Sequence, residues 1–115
     1  MRYLVAFSLL LACDRKGTAD WESDCAATCD TLYSADRCNI QSPGASNTEL
    51  TVQCVDTCAA LYGVEGDAGD YTPAERTPAT ENVILENQAM AELWMDCIAE
   101  TACEHIENGY CAPVW

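Results

Sequence analysis

Nine cysteines are the residues of this chain whose type and spacing carry chemistry: Cys13, Cys25, Cys29, Cys38, Cys54, Cys58, Cys97, Cys103 and Cys111. Cys25 and Cys29, like Cys54 and Cys58, stand four apart, which puts both sulfurs of a pair on one helix face. Reduced, such a pair captures Cu(I), or Zn(II) when two pairs converge. Oxidised, two antiparallel helices carrying these pairs join outer to inner, Cys25 to Cys58 and Cys29 to Cys54. The pattern at the N-terminus is that of an exported chain, and in an oxidising compartment neighbouring thiols pair and persist, so disulfides are the expected state. The other four allow Cys38–Cys97 with Cys103–Cys111, or Cys38–Cys103 with Cys97–Cys111, and spacing does not choose between them.

The remaining candidates are weaker. His105 is the one histidine and reads as a solvent-facing or satisfied side chain near a helix C-terminus, where the dipole favours it. Glu65, Asp67, Asp70 and Glu75 lack the alternate-position spacing of an EF-hand and read as a solvated acidic loop rather than a Ca²⁺ site. No Gly-x-Ser-x-Gly, Cys-x-x-Cys or His-Glu-x-x-His pattern occurs, and no nucleophile pairs with the histidine. The expectation is a non-catalytic protein with no cofactor and no metal. Trp21, Trp94, Tyr33 and Tyr62 are expected between helices and disulfides. The tail Pro113-Val-Trp115 either packs over Cys111 or offers an aromatic contact to a partner.

Composition narrows the setting. In 115 residues, nineteen Asp and Glu stand against five Lys and Arg, a formal charge of −14. Binding nucleic acid requires basic side chains that displace phosphate counterions, so nucleic acid is excluded as a partner. The acid excess serves solubility. The length suits one small domain whose core needs cross-links to be stable.

The elements that must hold the cysteines follow from periodicity. Trp21, Cys25, Thr28, Cys29 and Leu32 recur at helical spacing with Asp20 as N-cap, giving a first helix over about 20–36. Ser46-Asn-Thr-Glu49 has the spacing of a capping box and opens a second helix over about 47–62, with Leu50, Cys54, Thr57, Cys58 and Leu61 as its buried stripe. Segment 63–78 is rich in glycine, proline and acids and reads as a long, mobile acidic loop, the least structured stretch. A third helix is expected over about 79–106, its apolar side supplied by residues including Val83, Ile84, Leu93, Trp94, Ile98, Ala102 and Ile106. Cys25-Ala-Ala-Thr-Cys-Asp-Thr-Leu-Tyr33 repeats in Cys54-Val-Asp-Thr-Cys-Ala-Ala-Leu-Tyr62, which suggests two equivalent helices face to face. The predicted fold is all-α, a small disulfide-stapled three-helix bundle.

The N-terminus reads as an arginine, an apolar run over 4–11, then Ala12 and Cys13, an export signal too short to span a bilayer. Leu10-Leu11-Ala12-Cys13 resembles the lipobox of bacterial lipoproteins, which implies that Cys13 is lipidated and becomes the mature N-terminus. The alternative is an ordinary signal cut after Gly17-Thr18-Ala19. With Cys13 acylated, eight cysteines remain for four disulfides. The division is then a signal peptide over 1–12, a lipidated tether over 13–20 and a cysteine-rich helical domain over 21–115. Over about 21–111 the chain is similar to small, acidic, cysteine-rich lipoproteins of Gram-negative bacteria. Trp94-Met-Asp-Cys-Ile-Ala-Glu-Thr-Ala-Cys103 and the run to Cys111 carry that likeness most closely. The function of that group is unknown, so the resemblance implies location and architecture only: a membrane contacted through the lipid, at the periplasmic face of the inner membrane or at the outer membrane; an envelope protein is a candidate partner, its identity open. Asp14 after the lipidated cysteine implies inner-membrane retention. The expected function is a structural or protein-binding lipoprotein. Two alternatives stand beside it. Acidic three-helix disulfide bundles with Cys-Pro-aromatic tails, as in ciliate mating pheromones, are similar in outline to the helices and Cys111-Ala-Pro-Val-Trp115. Copper-storage bundles and copper chaperones use paired Cys-x-x-x-Cys motifs, which would make this a Cu(I)-binding periplasmic protein.

Overall fold

The structure, a computed structural model, describes residues 18–78 and 80–114. Cys13 with the signal and most of the tether, Ala79 and Trp115 lie outside the described residues. Among the described residues four helices follow in order: α1 (Thr18–Tyr33), α2 (Asn47–Ala59), α3 (Gln88–Glu100) and α4 (Cys103–Glu107). No strand forms among the described residues, only an isolated bridge between Ser42 and Ala45. No helix there is long and apolar enough to cross a membrane.

Helix α1 forms on the expected stripe: Trp21, Cys25, Thr28, Cys29 and Leu32 are all buried, and Tyr33 with them. It starts at Thr18, so Asp20 sits in the first turn instead of capping it. It ends at Tyr33, short of the expected residue 36, because the following turn satisfies its carbonyls: Cys38 N–H donates to Thr31 O and Ile40 N–H to Leu32 O. Asn39 takes a positive φ of 50° in that turn, a region asparagine tolerates better than most side chains. The Asn47 amide then donates to both Tyr33 O (2.7 Å) and Asn39 Oδ1 (2.8 Å), fastening the end of α1 to the start of α2.

The capping box of α2 is present. Glu49 N–H donates to Ser46 Oγ at 3.1 Å and Ser46 N–H donates to Glu49 Oε1 at 2.8 Å, which serves two backbone donors at once. Leu50, Cys54 and Cys58 face the core. Thr57, expected with them, is exposed. It lies about 100° from Cys58 around the helix, on the side away from α1. Regular helix stops at Ala59 and a turn carries the chain to Gly63.

The largest departure is the third helix. Residues 80–87 are irregular, and helix begins only at Gln88. Val83-Ile84 is a β-branched pair with reduced helix propensity. Asn87 is buried and fully employed elsewhere: its Oδ1 accepts from Met90 N–H at 2.9 Å as the N-cap of α3, and its Nδ2 donates to Asp67 O at 3.0 Å. A helix running through Asn87 would forfeit both bonds. The expected apolar side is broken accordingly, with Leu85 buried but Ile84 64% exposed. Leu93, also expected inside, is 40% exposed. At the other end Thr101 and Ala102 are extended, at ψ 138° and 146°, which separates α3 from α4 and leaves Ala102 exposed. The three-helix expectation therefore becomes three principal helices and a short fourth.

Helix α1 is the shared wall of the core, packed on α2 by one side and on α3 by the other. Trp21, Leu32, Tyr33, Trp94, Ile98 and Ile106 fill the space between them. The 63–78 loop is tied down at intervals. Gln88 N–H donates to Val64 O, Thr77 N–H to Gly109 O and Cys111 N–H to Pro73 O, while Gly63 N–H donates to Gln88 Oε1. It is the outer wall that holds the C-terminal tail.

Candidate functional site

Each of the eight cysteines from Cys25 onward is in a disulfide. Cys25–Cys58 and Cys29–Cys54, with Cα–Cα distances of 5.7 and 5.9 Å, rivet α1 to α2. The facing turns of two antiparallel helices bring outer to inner, as the four-residue spacing requires. Trp21 covers the outer bridge: its indole N–H donates to Cys58 O at 2.9 Å, and its ring lies 6.0 Å from that of Tyr62. For the last four cysteines the structure takes the second arrangement. Cys38–Cys103 links the turn after α1 to α4, and Cys97–Cys111 folds the tail back on α3. In a continuous helix, residues six apart point about 120° from each other. The extended step at Thr101-Ala102 re-aims the chain so that Cys103 meets Cys38 while Cys111 returns to Cys97. The Thr101 hydroxyl sits 3.3 Å from Cys111 Sγ and 3.6 Å from Cys97 Sγ, donating to the bridge sulfurs.

The thiolates that paired Cys-x-x-x-Cys motifs would offer a soft metal are thus used up as disulfide sulfur. Among the described residues no three His, Cys, Asp or Glu side chains gather as a metal-holding set. Glu75, one of the four loop acids, sits 3.5 Å from the Thr72 hydroxyl within its own turn. His105 is exposed on α4, its ring 5.6 Å from that of Tyr110.

The tail through Val114 packs against the body. The Trp94 indole N–H donates to Pro113 O at 2.9 Å, and the Tyr71 hydroxyl donates to Ala112 O. The Ala112–Pro113 peptide is cis. Burial raises the Tyr71 phenol well above its ordinary value of 10.0, because the ring has little water to stabilise its anion.

Beside this tail lies a groove of about 380 Å³, walled by the 40–43 turn, the 77–83 segment and the tail itself. Ile40, Pro43, Val83, Ile106, Tyr110 and Val114 line it. Their convergence is not visible in the sequence, where Val83 and Ile106 read as one face of a continuous third helix and Ile40 and Pro43 lie in a distant turn. On the other side of the 77–83 segment is a second cavity of about 480 Å³, lined by Asp67, Asp70, Glu81 and Glu86 around Tyr71 and Met90. A third, of about 450 Å³ between α1 and α3, carries Asp24, Glu92 and Asp96. Among the residues from 18 to 114, eighteen acids face two cations, Arg37 and Arg76. The Arg76 Nε–H donates to Asn108 O at 2.8 Å. All three cavities have carboxylates and no Lys or Arg in their linings.

Compared with known proteins, the chain matches no family model, no curated protein and no solved structure.

Proposed function

We propose that the protein is a non-catalytic, lipid-anchored extracytoplasmic protein with a protein-binding role, held to the membrane through Cys13 and presenting the disulfide-stapled helical body on a short tether. The observation that carries the reading is the closure of the cysteine arithmetic. Cys25, Cys29, Cys38, Cys54, Cys58, Cys97, Cys103 and Cys111 are consumed among themselves. The fold makes no demand on the ninth cysteine, the one that follows Leu10-Leu11-Ala12. Four disulfides also support maturation in an oxidising compartment. Lipid chemistry supplies the attachment, since so acidic a body is repelled by anionic headgroups. The Cu(I) alternative loses its ligands to the disulfides.

The test is the intact mass of the native mature protein before and after reduction and alkylation. The expected result is a chain beginning at Cys13 with added acyl mass, and eight alkylation sites that open only on reduction. Cys13→Ser is expected to leave the disulfides intact while releasing the protein from membranes. A lipid-free chain beginning at Asp20 would overturn the anchor in favour of a secreted ligand, and thiols open before reduction would restore the metal reading.

A further inference from the structure

We infer that the groove beside the C-terminal tail receives an extended, cationic polypeptide segment of a partner, which seats an apolar side chain against Ile40, Val83 and Val114 and directs flanking Lys or Arg side chains to the adjoining acids. This rests on the protein-binding role proposed above and is independent of the lipid anchor.

The groove has the size of a small ligand site at about 380 Å³, enough for one or two side chains. Its walls are fixed in advance. Cys38–Cys103 anchors the turn and Cys97–Cys111 the tail, which the Trp94 indole also holds through Pro113 O, while the bond from Thr77 N–H to Gly109 O braces the 77–83 segment. Pre-formed walls lower the ordering cost of binding. Of its apolar lining Ile106 is buried and Ile40, Val83, Tyr110 and Val114 are half-buried, while the ionisable carboxylates of the lining, Glu81 and Glu107, are both exposed. Thr77, Glu81, Asn82 and Val83 are shared with the second cavity, where Asp67, Asp70 and Glu86 add three more carboxylates. No Lys or Arg lines either. Ile84, next in sequence to Val83, is 64% exposed.

An apolar trough that opens into an acid-lined cavity selects its occupant by charge. A second copy of this chain would bring its own excess of acids against these carboxylates, so self-association is opposed. An uncharged apolar ligand would fill the trough and leave the acids without a counter-charge. A segment whose apolar side chains are flanked by basic ones satisfies both halves from one extended backbone.

The test titrates the mature protein, all four disulfides intact, with the fluorescent blocked peptide Lys-Lys-Leu-Val-Leu-Lys-Lys and follows backbone amide shifts in parallel. The expected result is saturable binding with shifts confined to 40–43, 77–86 and 106–114. Val83→Lys is expected to weaken it about tenfold or more by filling the trough with a like charge. Glu81→Lys, at an exposed carboxylate that lines both cavities, provides a second variant that leaves the core untouched and is expected to weaken binding several-fold. Asp30→Asn with Asp56→Asn, on the exposed faces of α1 and α2, is expected to change affinity little. Equal affinity for a peptide with Ser in place of its three apolar residues, or an equal loss from the remote pair, would overturn the site in favour of diffuse charge attraction. Absence of binding, concentration-dependent dimerisation through the groove, or groove shifts produced by zwitterionic vesicles alone would each overturn it as well. None of these results alters the mass of the mature chain, so this proposal and the anchor fail separately.

Discussion

Thr77 and Gly109 hold each other from both sides: the Thr77 N–H donates to Gly109 O at 2.9 Å, and the α-carbon of Gly109 comes so near that an added Cβ would lie 2.6 Å from Thr77 O. Gly109 also has a φ of 108°, which L side chains rarely adopt. Gly109→Ala is expected to cost about 2–4 kcal/mol, combining backbone strain with a clash against the backbone carbonyl of Thr77. Gly44→Ala, at a φ of 85° with nothing within 4 Å, is expected to cost only the strain, about 1 kcal/mol. Denaturant midpoints at constant m-value measure both, and similar costs for the two would show that the Thr77 contact is soft.

The disulfides are expected to contribute unequally. Cys38–Cys103 spans 65 residues and Cys97–Cys111 spans 14, so in the chain-entropy model the first restricts the unfolded chain more, by about 1 kcal/mol. Replacing Cys38 and Cys103 together by Ala should therefore lower stability further than replacing Cys97 and Cys111. The reverse order would show that the shorter bridge acts through the native packing of the tail instead.

Asn87 serves α3 and the loop at once. Its Oδ1 caps Met90 N–H and its Nδ2 donates to Asp67 O. Asn87→Ala is expected to cost about 1–3 kcal/mol, a lost cap together with a carbonyl left short of a donor. Hydrogen exchange should accelerate at the first turn of α3 and across 64–67 together. Acceleration at Met90 alone would mean that the loop is held without Asn87.

Two groups give stability a pH dependence of opposite sign. The Ser46 backbone N–H, and then the Ser46 side chain, hold the Glu49 carboxyl below its ordinary value of 4.5. A carboxyl depressed on folding contributes in full above 4.5 and loses its contribution as pH falls through the lowered value. Glu49→Gln preserves a capping-box side chain and should flatten that acid slope. Tyr71 is raised by burial above 10.0, so its contribution is complete below 10 and lost as the pH rises beyond it. Tyr71→Phe should remove the alkaline slope, and chemical denaturation between pH 3 and 11 reads both.

Much of this architecture is legible locally. The four-residue spacing of Cys25 with Cys29, and of Cys54 with Cys58, dictates that two facing antiparallel helices join outer to inner, because helix geometry alone brings those sulfurs together. Ser46-Asn-Thr-Glu49 starts α2 through bonds made within four residues. Tertiary structure decided what depends on distant segments. Residues 80–87 leave the helix because Asn87 gains more from Asp67 and Met90 than from continuing a turn. The last four cysteines pair as they do because the chain extends at Thr101-Ala102, which apolar periodicity does not reveal. The groove exists only because the turn after α1, the 77–83 segment and the tail are drawn to one place. Its walls come from three distant segments, and such convergence is set by packing and cross-links across the whole chain rather than by any local pattern.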